Sequence, residues 1–348
     1  MSESISATPI TILTGFLGSG KTTLLNHLLG HAGMADTAVL INEFGEIGLD
    51  HLLVQEITEG VVLLNSGCLC CTVKGELVES LRELYLNRIQ GEVPNFNRVV
   101  IETTGLADPV PVIGALVRDP MFKEWYRLEG IVTTVDAVHG SGQLDEHEEA
   151  IKQAAVADRL VLTKSDLAAP ADIERLEQRL RLLNTGAPVI KAEFGNVGPD
   201  ELLDTGLYNA KTKSVDVQRW LHAEFYDDAN SRNHDHAHHD HGASDVNRHD
   251  DHISTFCITF DEPVDWRAFN RWMDSVVERY GARLLRVKGI VTAKRQKRPF
   301  AIHSVQHIRH PPVTLPSWPD GDKRTRVVFI TRDVSQSDVE QMWAGAQC

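Results

Sequence analysis

The residues from Gly15 to Thr22, GFLGSGKT, have the types and spacing to hold a chain of phosphates. They fit G-x-x-x-x-G-K-[ST] in full, with the apolar run Ile10–Leu13 before them and Thr23, Leu24, Leu25, Leu28 and Leu29 after them. A short strand leading in and an amphipathic helix leading out is the context that gives this pattern its mechanism. Gly15, Gly18 and Gly20 allow the backbone to turn so that successive N–H groups and a helix N-terminus face anionic oxygen. Lys21 brings a point charge to the β- and γ-phosphates, and the Thr22 hydroxyl suits Mg²⁺. The alternative is a glycine-rich turn with no ligand.

Three further clusters lie at the ends of apolar stretches. Asn42–Asp50, NEFGEIGLD, puts Glu43, Glu46 and Asp50 beside two glycines, an acidic loop that is either solvated or functional. Asn65–Thr72, NSGCLCCT, carries Cys68, Cys70 and Cys71 at a loop-to-helix junction. Thiolates at that spacing can converge on one cation, and a helix N-terminus favours the ligating thiolate form. Three sulfurs leave one tetrahedral position, which a carboxylate such as Glu46 could fill. Zinc is the default from ligand type, followed by Cu(I), Co(II) and Fe(II). Buried structural cysteines and a redox pair are the competing readings.

Arg98–Ile101 runs into Glu102-Thr103-Thr104-Gly105, an E-x-x-G arrangement. Glu102 could serve the Mg²⁺ water shell or the attacking water, and the Gly105 N–H can approach a γ-phosphate because no side chain blocks it. Asp136, after Ile131–Val135, reads as a helix cap before a catalytic or Mg²⁺ role. Thr163-Lys164-Ser165-Asp166 follows Arg159–Leu162 and resembles an N-K-x-D base reader with Thr in the first position. A carboxylate at Asp166 can accept two hydrogen bonds from guanine that adenine cannot offer, so GTP is expected over ATP. Ala192-Glu193 is a further place where the guanine edge could be touched.

Positioning these clusters requires strands near 9–14, 37–42, 60–64, 98–103, 129–135, 159–163 and 188–193. Helical patterns fall between them at Thr22–Leu29, Lys74–Arg88, Val110–Leu116, Glu146–Ala155 and Ala171–Leu183. Alternating apolar strands and helices predict an α/β P-loop NTPase domain, its mostly parallel sheet covered on both faces. Ligands then collect at the carboxyl ends of the strands. Residues 1–225 form this nucleotide domain. Residues 226–252 form a His/Asp-rich linker too polar to order itself, whose His234, His236, His238, His239 and His241 suit low-specificity metal binding. Residues 253–348 form a smaller α+β domain, with strands at Thr255–Phe260, Leu284–Val291 and Val327–Thr331. Its helices are expected at Val264–Tyr280 and Val334–Gln341, with a split β-α-β arrangement. Its basic stretch around Lys294–Arg298 reads as a solvated hairpin or as a dock for an acidic client. His303, His307 and His310 read as structural before metal-ligating, and Cys257 reads as core.

The chain has 348 residues, 42% hydrophobic and 24% charged, enough for a core and a second domain. A net charge of −14 argues against general nucleic-acid affinity, which is mostly electrostatic. No apolar run approaches membrane-spanning length, and MSESISAT lacks the regions of a secretion signal, so a cytoplasmic protein with no membrane contact is expected. Five cysteines with three of them clustered suggest metal or redox chemistry in a reducing compartment.

Taken in order, GFLGSGKTTLLNHLL, NEFGEIGLD, GCLCC, ETTGLADP, VDA and TKSD resemble the CobW-type metallochaperone GTPases, a family that includes zinc-transfer GTPases. LLRVKGIV and HSVQ are similar to that family's C-terminal domain. The resemblance implies a SIMIBI-like G domain, of the class containing the hydrogenase and urease nickel-insertion GTPases, and a C-terminal domain that engages a client metalloprotein. It places the phosphate role on Gly18, Ser19, Gly20, Lys21, Thr22 and Thr23, the metal role on Cys68, Cys70, Cys71 and Glu46, and base reading on Lys164 and Asp166, with Thr163 standing in the nucleotide site where the pattern has Asn. Where some relatives carry an additional carboxylate, this chain has Ile41. The expected activity is GTP hydrolysis with Mg²⁺, coupled to transfer of zinc, or of Co²⁺ or another transition metal, to the client. The other readings are an accessory to cobalt insertion in cobalamin biosynthesis, an activator of a metal-dependent nitrile hydratase, and a non-enzymatic His-rich metal buffer. Oligomeric state is left open.

Overall fold

The computed structural model describes residues 7–42, 62–66, 69–119, 122–203, 252–318 and 321–346. The chain divides into two compact units. One comprises Met1–Gln143, His147–Glu177 and Pro188–Leu207; the other comprises Leu144–Glu146, Gln178–Ala187 and Tyr208–Cys348.

In the first unit, β1 (Thr8–Gly15), β2 (Thr37–Asn42), β3 (Val62–Ser66), β4 (Arg98–Glu102), β5 (Tyr126–Asp136), β6 (Arg159–Thr163) and β7 (Val189–Ala192) form one sheet in the order β3-β2-β4-β1-β5-β6-β7. Every pairing in it is parallel. Parallel strands need crossovers, here supplied in part by α1 (Lys21–Leu29), α2 (Leu69–Gln90), α3 (Pro109–Arg118), α4 (Phe122–Trp125), α5 (Gly140–Glu146), α6 (Glu148–Val156) and α7 (Pro170–Leu183); α8 (Pro199–Leu202) follows β7. With both faces covered, the central strands are rich in buried apolar residues: Ile10, Ile12, Val99, Ile101, Ile131, Val161 and Leu162 are all buried. Ile41 is part of this core with Leu13 and Val100.

Parallel register brings the strand ends to one edge. Leu13 and Ile41 flank Glu102, Gly15 pairs with Thr134, Asp136 with Thr163, and Thr163 with Ala192. The loops carrying the phosphate pattern, E-x-x-G, T-K-S-D and Glu193 therefore all leave from the same side. The helix expected over Glu146–Ala155 is α6, which begins two residues later, after His147 in an extended conformation; the separate α5 before it was not expected. Glu148 and Glu149 in the first turn of α6 complement its positive end, which favours a new start there.

The second unit contains β8 (Ile253–Phe260), α9 (Trp266–Tyr280), β9 (Leu284–Val291), β10 (Phe300–Val305), β11 (Ile308–Arg309), β12 (Val313–Thr314), β13 (Thr325–Arg332) and α10 (Gln336–Ala346). Its antiparallel sheet has the order β11-β10-β9-β13-β8, with β12 paired to β10. β13 inserts between β8 and β9, which α9 connects, giving the expected split β-α-β arrangement. Asp265 caps α9 by accepting from the Ala268 N–H at 2.9 Å. Phe256, Phe269, Trp272, Val276, Val287 and Phe329 form the core, and the buried Trp272 indole donates to Val339 O at 3.1 Å. The expected helix at Val264–Tyr280 begins two residues later because Val264 is held in a bridge to Ala293. Lys294–Arg298 is an exposed turn between β9 and β10.

Candidate functional site

The phosphate pattern folds into a tight loop between β1 and α1. Gly15, Gly18 and Gly20 have φ of 146°, 70° and 85°, the region that glycine enters without a Cβ clash. Gly20 is the N-cap of α1, so the helix's first free N–H groups open into the loop. The buried Lys21 ammonium donates to Gly15 O at 2.8 Å and to Phe16 O at 3.1 Å. It is thus held inside the loop, where an incoming phosphate oxygen can take over those contacts. The Ser19 and Thr134 hydroxyls share a 2.6 Å hydrogen bond, fastening the loop to β5. Phe16 stacks on His147 at 4.5 Å.

Thr22 directs its hydroxyl toward Glu102 Oε1 at 3.4 Å. A hydroxyl and a buried carboxylate side by side at a phosphate loop are hard oxygen donors of the kind Mg²⁺ takes. Gly105 packs against the same loop: a Cβ there would lie 2.7 Å from the Leu17 backbone nitrogen. The segment is pinned from behind by the buried Gln153, whose amide donates to Gly105 O at 3.1 Å and to Ala107 O at 3.0 Å. Asp108 accepts from Val110 N–H at 2.9 Å and, with Pro109 next to it, starts α3.

The Thr163 hydroxyl donates to Ser19 O at 2.7 Å and Val135 O at 3.1 Å, so in this chain it ties the T-K-S-D loop to the glycine-rich loop after β1. Lys164, at φ 55°, donates to Gly18 O at 2.7 Å and to Asp136 Oδ2 at 2.6 Å. Asp166 is exposed beside Leu167. After β7, Gly195 lies against Thr23 O and His27 at the start of α1, leaving Phe194 77% exposed at φ 52°. Lys21, Thr22, Glu102, Gly105, Thr163 and Lys164 are thus gathered at one edge. Asp136 is not the expected helix cap, since His139 is the N-cap of α5; it closes the turn after β5 and adds an ion pair that the sequence did not announce. Gln153 carries no signal at all, since it sits in mid-helix far along the chain.

The structure describes less of the metal cluster. Cys70 and Cys71 belong to the first turn of α2, just after β3 ends at Ser66, so their backbone lies at the same sheet edge. Their side chains, with Glu46, Cys68 and the acidic loop, lie outside the described residues, as do His234, His236, His238, His239 and His241. Among the described residues no group of three His, Cys, Asp or Glu side chains could hold a metal ion, which leaves His303, His307 and His310 without a shared site. No described helix is long and apolar enough to cross a membrane.

The sequence of the "CobW/HypB/UreG, nucleotide-binding domain" family matches residues 9–191, and that of the "Cobalamin synthesis protein cobW C-terminal domain" matches residues 253–347. The zinc chaperone YjiA of Escherichia coli (strain K12) is 31% identical over 336 residues, covering 97% of this chain and 98% of its own. The zinc-regulated GTPase metalloprotein activator 1 of Schizosaccharomyces pombe is 35% identical over 228 residues, covering 62% of this chain and 54% of its own. The crystal structure of Zn(II)-bound YjiA GTPase superposes with a TM-score of 0.72 at 27% identity, covering 98% of this chain and 99% of that one. With the nucleotide-binding domain matched over more than half the chain and a relative matched end to end, the chain belongs to the CobW/HypB/UreG family, with a CobW C-terminal domain attached.

Proposed function

We propose that this chain is a GTP-hydrolysing metallochaperone that carries zinc at Glu46, Cys68, Cys70 and Cys71 and delivers it to a client metalloprotein. The observation that carries the proposal is a shared sheet edge. The phosphate loop, Glu102 to Gly105 and Lys164 leave from it, and α2, whose first turn holds Cys70 and Cys71, starts there. The relatives named as a zinc chaperone and a zinc-regulated activator support zinc as cargo. In this reading residues 1–225 bind nucleotide, 226–252 is the His/Asp linker, and 253–348 engages the client.

Lys21 and the N–H groups of Gly18, Ser19, Gly20, Thr22 and Thr23 hold the phosphates. Mg²⁺, when bound, neutralises charge on the β- and γ-oxygens. Thr22 and Glu102 fit that ion, and Glu102 with the Gly105 N–H orients water and γ-phosphate. Thr163, Lys164 and Asp166 hold the base. Because Gly105 rests on the phosphate loop, loss of the γ-phosphate changes what the β4–α3 segment leans on. The Cys helix starts at the same sheet edge and the acidic segment follows β2 in sequence, so metal affinity follows nucleotide state. Such coupling is reciprocal: zinc must change nucleotide affinity by the same factor.

The test is zinc affinity measured with GDP and with a non-hydrolysable GTP analogue. A difference of roughly fivefold or more is expected; equal values remove the switch. Cys70→Ala should abolish tight zinc binding and leave GTP affinity near wild type, as followed by metal competition and nucleotide titration.

A further inference from the structure

We propose that Asp136 is a positioning residue for the base: its charge holds Lys164 in the pose in which the lysine stem supports guanine. The inference rests on the reading of Lys164 and Asp166 as base contacts, and adds a residue outside that motif.

Asp136 closes β5, opposite Thr163 at the end of β6, and is 1% exposed. Its two oxygens do different things. Oδ1 accepts from Val138 N–H at 2.8 Å and His139 N–H at 3.2 Å, closing the turn after the strand. Oδ2 accepts from the Lys164 ammonium at 2.6 Å. The turn alone needs one acceptor, which a neutral Asn, Ser or Thr supplies. A buried carboxylate costs far more unless a cation meets it. The charge at this position is therefore explained by Lys164 and not by the turn.

What Lys164 gains is a fixed side chain. Its backbone is in the left-handed region, uncommon for a residue with a long side chain and found where surroundings over-determine it. That conformation sends the side chain back across the loop, where Nζ also reaches Gly18 O at 2.7 Å. The ammonium is thus held at two points, on β5 and on the phosphate loop, while 36% of the side chain stays open to solvent. A free lysine has many rotamers and loses them on binding; here that loss is taken on folding, before the base arrives. Thr163 reinforces the frame by binding Ser19 O and Val135 O, next to the same two anchors.

Asp136→Asn keeps the turn acceptor and removes the charge. In the full chain with Mg²⁺, GTP affinity should fall roughly tenfold, the scale of one charge-assisted hydrogen bond. The change should appear in KM, with kcat at saturating GTP near wild type. Lys164→Met keeps most of the stem and removes the ammonium, and should weaken GTP to a similar extent. In that background Asp136→Asn should cost no further affinity. A purely structural Asp136 would instead lower the melting temperature with GTP affinity intact, or cost the same affinity with and without the Lys164 ammonium; either result overturns the proposal. Should Asp136→Asn not fold, a wild-type Kd in Lys164→Met overturns it equally. Wild-type protein that binds ATP as well as GTP would sink the base-reading assignment itself, whereas GTP selectivity with an indifferent Asp136→Asn sinks only the positioning role.

Discussion

At Gly15 no side chain can be accommodated. A Cβ there would lie 2.2 Å from Thr134 Oγ1, 2.5 Å from Thr134 O and 2.7 Å from Ser19 Oγ, and the φ of 146° is itself unfavourable for an L-residue. Gly15→Ala is expected to cost about 2 kcal/mol or more and to abolish GTP binding, read by thermal unfolding and nucleotide titration. Gly18 provides the contrast. It shares positive φ, yet nothing lies within 4 Å of its would-be Cβ. Gly18→Ala should therefore cost only the left-handed backbone, about 1 kcal/mol. All three glycines were legible in the pattern from Gly15 to Thr22. Their unequal roles were not, because the crowding at Gly15 comes from Thr134, a residue brought alongside only by the parallel pairing of β1 with β5. The Lys164 to Asp136 pair was hidden for the same reason: each residue was visible at a strand end, but adjacency of β5 and β6 is a tertiary fact.

Between residue and molecule, the segment joining β4 to α3 is held by one side chain of α6. Gln153→Leu removes the amide that serves Gly105 O and Ala107 O, leaving those carbonyls without this donor. A stability cost of about 1–3 kcal/mol is expected, with kcat falling more than GTP affinity, as steady-state kinetics would separate. At the start of β13, Asp322 holds both Arg324 and Arg326. The Arg324 guanidinium beside it brings its carboxyl down to about 2 from 3.8. A carboxyl lowered on folding stabilises fully above its ordinary value, so this contribution is complete above 3.8 and is lost as pH falls toward 2. Asp322→Asn should flatten that part of the acid-denaturation curve and lower stability at neutral pH, with the difference from wild type closing as pH falls toward 2. Most long elements of both units were readable because apolar periodicity persists over them: β9 falls at Leu284–Val291 as expected, and α1, α3 and α7 fall within two residues of expectation, whereas β10 at Phe300–Val305 was not expected. The two-residue strands β11 and β12 were not, since a pair of residues such as Ile308 and Arg309 carries no period.

For the molecule as a whole, each unit has its own core. The second depends on Trp272, wholly buried and hydrogen-bonded to Val339 O. Trp272→Ala should cost about 3–5 kcal/mol in unfolding of that unit, measured by denaturant titration. The division into a parallel-sheet unit and an α+β unit was legible because the polar His/Asp run interrupts both apolar patterns. Which loops meet at the sheet edge was legible only through the rule that ligands gather at parallel strand ends. One topological detail has a bearing on biosynthesis. An interior strand of the second sheet, β13, is made after both of its neighbours, β8 and β9. On the ribosome those two strands emerge with an open gap between them, and their unpaired backbone groups can be satisfied natively only once Thr325–Arg332 has cleared the exit tunnel. This unit must therefore complete its folding late, and nascent chains stalled before β13 are the ones that should need a holding chaperone.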